Sequence, residues 1–166
     1  MFRRLAGRRV LIVVLFLSLI GVLSSFFLQY RLHYEPCPLC IFQRVALVIT
    51  GFIALFLIGL PTARTAIGRC FAAAILLIPI LFGIVSASRQ IYLQHLPIDQ
   101  VPACGPGLNF LVRNNSWSTV LSKVFQGSGE CATVDKLGYL PLSIWSLLLL
   151  LLMATVIILS CCARER

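Results

Sequence analysis

Residues Tyr34–Leu60 read YEPCPLCIFQRVALVITGFIALFLIGL. Two cysteines, Cys37 and Cys40, stand one proline-containing turn apart at the brink of a long apolar run, and Arg44 lies inside it. From Val45 to Ala63 no side chain carries a charge. A run of that length matches the roughly 20 helical residues that cross the hydrocarbon core of a bilayer.

Working outward, three more uncharged runs appear: Val10 to Tyr30, Cys70 to Ser88 and Leu137 to Ala163. The four runs hold about 19 to 27 residues each, enough for a span apiece. They are continuously apolar, so they read as helices and not as the alternating strands of a barrel. The whole chain agrees: of its 166 residues 60% are hydrophobic and only 11% charged. A soluble domain carries about a quarter charged residues. The expectation is an all-α membrane protein, a four-transmembrane-helix bundle in one integral membrane domain, 1–166. Its spans fall at roughly 10–29, 41–61, 70–89 and 139–160, with outward loops at roughly 30–40 and 90–138.

The net charge of +9 encodes orientation. Arg3, Arg4, Arg8 and Arg9 precede the first run, Arg64 and Arg69 fill the short second loop, and Arg164 and Arg166 follow the last run. Four of the five acids, Glu35, Asp99, Glu130 and Asp135, fall in the other two loops. That asymmetry puts both termini in the cytoplasm. No basic patch is interleaved with aromatics, which argues against a nucleic-acid partner. SSFFLQYRL, ending the first run, offers no small-x-small cleavage site, so that run reads as an uncleaved span.

This topology sorts seven cysteines. Cys37, Cys40, Cys104 and Cys131 face outward, into an oxidising compartment; Cys70, Cys161 and Cys162 lie at cytoplasmic helix ends, where thiols stay reduced and pack as small hydrophobes. Lipidation of Cys161 or Cys162 is conceivable, though nothing singles it out. Four outward thiols allow three pairings, of which Cys37–Cys40 with Cys104–Cys131 is the simplest. A zinc ribbon needs two C-x-x-C knuckles and this chain has one, so no metal is expected. Disulfides bracing the outward loops, and thiol exchange at Cys37–Cys40, remain as alternatives.

The exchange reading has a physical basis. A thiolate is the reactive species, and a helix beginning near Cys37–Cys40 would present unpaired N–H groups and a positive dipole end to it. Pro36 and Pro38 suit a first turn. Arg44, four residues after Cys40, shares its helical face, where its cation would favour a thiolate or hold a ligand carbonyl; the plainer alternative is a side chain snorkelling to the headgroups. The second outward loop is long enough to suggest function. HLPIDQVPACGPGLN is a Pro/Gly-rich setting for Cys104, and QGSGECA returns a glycine-flanked Cys131. Between them FLVRNNSWSTVLSKVF suggests a short amphipathic helix, lying on the membrane or packed on the bundle. His95, after the third run, is a candidate through proximity to the first site, or else an ordinary interfacial histidine.

Taken together, CPLCIFQR (37–44), QIYLQH (90–95), the Pro/Gly-rich setting of Cys104, VFQGSGECA (124–132) and GYLPLSIW (138–145) resemble the bacterial inner-membrane disulfide bond formation protein B family over nearly the whole chain. The resemblance implies a quinone-dependent disulfide relay in the periplasm. Cys104 matches the cysteine facing a DsbA-type thioredoxin-like thiol oxidase. Cys131 matches its loop partner, which exchanges with Cys37. Cys40 matches the cysteine facing the quinone, Arg44 the arginine that holds the quinone, and His95 a histidine near the same ring. The acceptor implied is ubiquinone, with menaquinone an alternative under anaerobic growth. Gln43 stands where the family often has an acid, and the inner cysteines have no role in the pattern. The vitamin K epoxide reductase type, another four-helix quinone-linked thiol family, resembles the chain less, because its C-x-x-C lies near the last span.

Overall fold

The computed structural model describes residues 2–32, 37–60, 66–97, 113–126, 129–132, 136–137 and 140–162. Cys104, Pro36, Phe110 and Leu111 lie outside the described residues. Four long helices make the body: α1 (Phe2–Leu32), α2 (Pro38–Gly59), α3 (Ala66–Gln94) and α6 (Leu142–Cys162). Between α3 and α6 come the short helices α4 (Trp117–Gln126) and α5 (Gly129–Ala132). A two-residue antiparallel ladder follows, β1 (Lys136–Leu137) with β2 (Leu140–Pro141), pairing Leu137 with Leu140.

Arg8–Arg31, Pro38–Gly59, Ile67–Gln94 and Leu142–Cys161 are each long and apolar enough to cross a bilayer. The chain is therefore an all-α membrane protein built as a four-helix transmembrane bundle. The helices form a closed ring in which α1 packs on α2, α2 on α3, α3 on α6 and α6 back on α1. Large apolar side chains such as Phe16, Phe52, Phe56, Ile78 and Leu159 face outward, as a lipid-bathed surface requires.

Lipid tails are as apolar as leucine, so burial alone does not hold such helices together; close packing and interhelical hydrogen bonds do. Val14, Leu47, Ala54, Leu76, Ile80, Leu150, Met153 and Ile157 fill the middle of the ring. Small residues let backbones approach. A Cβ on Gly51 of α2 would lie 2.7 Å from Ser18 Oγ of α1, and one on Gly83 of α3 would lie 3.3 Å from Ala46 Cβ of α2. Ser18 Oγ in turn donates to the Leu47 carbonyl at 2.5 Å, a buried link between α1 and α2.

The amphipathic helix expected in the long loop is α4, and it packs on the bundle. Its Val120 and Val124 are buried, 1% and 3% exposed, against Leu39 of α2 and Leu93 of α3, while Trp117 and Lys123 face out. The carbonyl of Ser116 accepts from Val120 N–H at 3.0 Å, closing the first turn. α5 packs against α3. Both short elements thus sit over one end of the ring, where α2 begins and α3 ends.

A candidate redox site at the mouth of the bundle

The site starts from how α2 begins. Cys37 is its N-cap, in extended conformation, and Pro38 occupies the first helical position, where proline's missing N–H costs nothing. The Cys37 carbonyl accepts from Ile41 N–H at 3.1 Å, and its sulfur takes the place of the usual capping oxygen by accepting from Cys40 N–H at 3.4 Å. Cys40 therefore sits in a helical first turn, among N–H groups that have no intrahelical acceptor.

The two sulfurs are 3.1 Å apart, with the Cys37 thiol donating to Cys40 Sγ. Cys37 is buried and Cys40 partly so. Cys131, carried by α5, is fully buried in the same cluster as Cys37, Leu39, Leu93, Val120 and Val124. Its side chain is hydrogen-bonded to that of Cys37; this contact, the one to Cys40 and burial push the Cys37 thiol well above the ordinary thiol range. Cys37, Cys40 and Cys131 are thus one cluster, roofed by two valines of α4.

A chain of buried amides leads into this cluster from the side. Gln90 of α3 donates through Nε2 to Cys40 Sγ at 3.1 Å and to Cys37 Sγ at 3.6 Å. Its Oε1 accepts from Gln43 Nε2 of α2 at 2.8 Å, and Gln43 Oε1 accepts from Ser146 Oγ of α6 at 2.6 Å. Nearby, Ser143 Oγ donates to Gln94 Oε1 at 2.6 Å. Three spans therefore meet through polar groups at the dithiol.

Arg44 lies one turn below Cys40 and reaches toward α1. Its Nη1 donates to Gln29 Oε1 and its Nη2 to the Ser25 carbonyl at 3.3 Å; the guanidinium stands 5.5 Å from the centre of the Phe26 ring. Its Nε is buried with no hydrogen-bond partner among the described residues. The head group is thus held between two spans instead of snorkelling away from them, with Nε left without an acceptor among the described residues.

His95 follows the last residue of α3 at the same end of the bundle. Its ring is exposed, and Nδ1 pairs with the Ile91 carbonyl of its own helix at 2.8 Å. Nothing described brings it onto the sulfurs; Leu93 and Leu96 make that contact from α3 instead. Cys70, at the start of α3, and Cys161, at the end of α6, lie at the opposite end of the bundle. Sequence reasoning did not reach Gln90, Gln29 or Ser146, and read Gln43 only as a departure from a pattern. The available signal was uncharged polar side chains inside apolar spans, with Gln43 three residues after Cys40 and thus on the same helical face.

The chain as a whole is similar to known proteins. The family model for disulfide bond formation protein DsbB matches residues 7–160. A disulfide bond formation protein B of Acinetobacter baumannii is 44% identical over 146 residues, covering 87% of this chain and 84% of that protein. Namesakes from Hahella chejuensis, 40% identical over 143 residues (84% of this chain, 85% of that one), and Nitrosococcus oceani, 40% over 147 (87% and 85%), are similar over comparable lengths. No solved structure matches. A match that spans all four membrane helices and the loop between the third and fourth places the chain in the DsbB family of disulfide bond formation proteins, whose work is thiol oxidation.

Proposed function

We propose that the protein is a quinone-dependent protein thiol oxidase. In this reading it sits in the bacterial inner membrane with both termini cytoplasmic and its four outward cysteines periplasmic. It reoxidises a thioredoxin-like, DsbA-type disulfide donor there. Electrons enter at Cys104 and Cys131, pass to Cys37 and Cys40, and leave into the membrane quinone pool.

The observation that carries this reading is the hydrogen-bonded contact of Cys131 with Cys37 beside Cys40. Thiol–disulfide exchange needs sulfurs in contact, and Cys37 touches both Cys131 and Cys40, which supports roles for them as the central, attacking and leaving sulfurs. When Cys104 and Cys131 have taken two electrons from the partner, Cys131 Sγ attacks Cys37 Sγ of the oxidised pair. The Cys37–Cys40 bond breaks, and its electron pair goes to Cys40 Sγ. Cys104 Sγ then attacks Cys131 Sγ, which releases Cys37 as a thiol and restores the outer disulfide. Two electrons have moved inward.

The residues below Cys40 fit an oil-soluble carbonyl acceptor. Arg44 Nε is a buried donor without a hydrogen-bond partner among the described residues, and Phe26 lines the guanidinium on its apolar side. Arg44 would hold the acceptor and Cys40 would face it; His95, whose Nδ1 pairs with the Ile91 carbonyl, would approach the same ring through Nε2. When bound, ubiquinone, or menaquinone under anaerobic growth, takes up two electrons and two protons and leaves as quinol. The dithiol must meet water on one side, where protein thiols are, and lipid on the other, where the acceptor dissolves; the first turn of a spanning helix meets both.

The test is capture of the handover pair. In a Cys40→Ser, Cys104→Ser protein, mild oxidation should join Cys37 to Cys131 as the main product. Recovery of both as alkylatable thiols, in folded protein under the same oxidant, would overturn the reading.

A further inference from the structure

The amide chain at the mouth has a direction. Ser146 donates to Gln43, Gln43 donates to Gln90, and Gln90 donates to the sulfurs, at 2.6, 2.8 and 3.1 Å along the line that ends on Cys40. Gln43 and Gln90 are each only 5% exposed, inside helices that cross the membrane. Burying such amides is unfavourable unless every polar atom is satisfied, and the link that satisfies Gln90 Nε2 is the sulfur pair itself. Hydrogen bonds in series polarise one another, so a chain whose donors all point one way presents its strongest partial positive charge at its end. That end is where negative charge develops when the Cys37–Cys40 bond opens. A donor already in place there needs no reorganisation at the moment of exchange.

We infer that Gln90 is a catalytic residue of the exchange, holding an N–H against the sulfur that leaves as Cys40 thiolate, and that Gln43 and Ser146 are positioning residues that fix the sense of its amide. The inference deepens the proposed function and rests on Cys37–Cys40 being the inner redox pair. Its consequence is thermodynamic as well as kinetic. A donor that favours the thiolate stabilises the reduced pair over the disulfide, and so makes the pair more oxidising. Polar residues that serve only to join helices would leave that balance alone while lowering stability.

The test is the thiol–disulfide equilibrium of the full chain, freed of quinone in detergent and equilibrated with glutathione buffers, with Cys37 and Cys40 read by alkylation and peptide mass. Gln90→Leu and the near-isosteric Gln90→Met should each shift the equilibrium roughly tenfold toward the disulfide, as expected for losing one hydrogen bond to a charged acceptor. For a two-electron couple tenfold is about 30 mV. Gln43→Leu should shift it in the same direction by less, and Ser146→Ala by less again. The Gln43→Leu, Gln90→Leu double variant should match Gln90→Leu alone, since Gln43 acts through Gln90. Equilibria within about twofold of the parent for both Gln90 variants would overturn the inference, and Gln43→Leu keeps it open to refutation should either misfold. A double-variant shift equal to the sum of the single shifts would overturn the positioning role of Gln43. A parent chain in which Cys37 and Cys40 never pair would instead sink the proposed function beneath it.

Discussion

Helix α4 covers the dithiol with two side chains, and that cover can be thinned without touching a sulfur. Val120 and Val124 are 1% and 3% exposed and pack in the cluster that holds Cys37, Cys131, Leu39 and Leu93. Truncating both to alanine removes two buried carbons from each. At about 0.8 kcal/mol per buried methylene the pair weakens the docking of α4 by roughly 3 kcal/mol, before any cavity contribution. If α4 lifts and settles quickly compared with modification, the modification rate of Cys37 follows the lifted population. Three kcal/mol then corresponds to a rise of roughly a hundredfold, at a factor of ten per 1.4 kcal/mol. The assay is the rate at which a water-soluble maleimide modifies Cys37 in the Val120→Ala, Val124→Ala protein, read by peptide mass. Trp117→Ala serves as control, since Trp117 is 70% exposed on the same helix and should leave the rate unchanged. A rise below about threefold in folded protein would refute the argument that α4 gates the sulfurs.

Three more outcomes follow from contacts at or near the site. Arg44→Ala should raise the apparent quinone KM about tenfold, the loss expected for one charge-assisted hydrogen bond; steady-state quinone reduction would show it, and an unchanged KM would mean that the guanidinium only ties α2 to α1. Contact with Cys131, contact with Cys40 and burial raise the Cys37 thiol pKa, so the folded reduced protein keeps a proton that an unfolded chain gives up near pH 8.5. The stability that Cys37 contributes should be full below about pH 8.5 and fall by about 1.4 kcal/mol per pH unit above it; detergent unfolding at several pH values checks this, and Cys37→Ala should remove that part of the slope. Gly51→Ala should destabilise the bundle by about 1–3 kcal/mol, because the new Cβ meets a hydroxyl engaged with the Leu47 carbonyl. Adding Ser18→Ala should recover part of that loss in thermal unfolding.

The bundle was legible because a bilayer is a demanding solvent. It fixes the length of every span and excludes charge, so Val10–Tyr30 and its three counterparts stand out without any knowledge of contacts. The helices themselves run further, α1 from Phe2, because an uncharged run marks the hydrocarbon core and not the end of hydrogen bonding. Local chemistry was legible for a similar reason. The Cys37 cap, Pro38 and the position of Cys40 in the first turn are consequences of a few consecutive residues.

What the sequence withheld depends on elements meeting across space. Gln90 and Ser146 are 56 residues apart, and each alone is an ordinary polar side chain in an apolar helix; only the ring of spans aligns them through Gln43. Amphipathic spacing suggested α4 but not its place, since a helix with one apolar face suits a membrane surface and a bundle equally. The bundle won because Leu39, Leu93 and the sulfurs present an apolar hollow at the mouth. His95 is the opposite case. Its position by the interface was plain, whereas the turn of its ring onto the Ile91 carbonyl is set by the last turn of α3.

In the proposed function a thiol relay at the mouth hands electrons from a water-borne protein to a carrier dissolved in lipid. The direct measurement mixes purified protein, ubiquinone and a reduced thioredoxin-like partner, and follows quinone absorbance together with partner thiols. One quinone should be reduced for every two partner thiols lost, with turnover abolished in Cys37→Ser, Cys40→Ser, Cys104→Ser and Cys131→Ser. Partner oxidation that proceeds without quinone loss, or that survives any of those four substitutions, would contradict it.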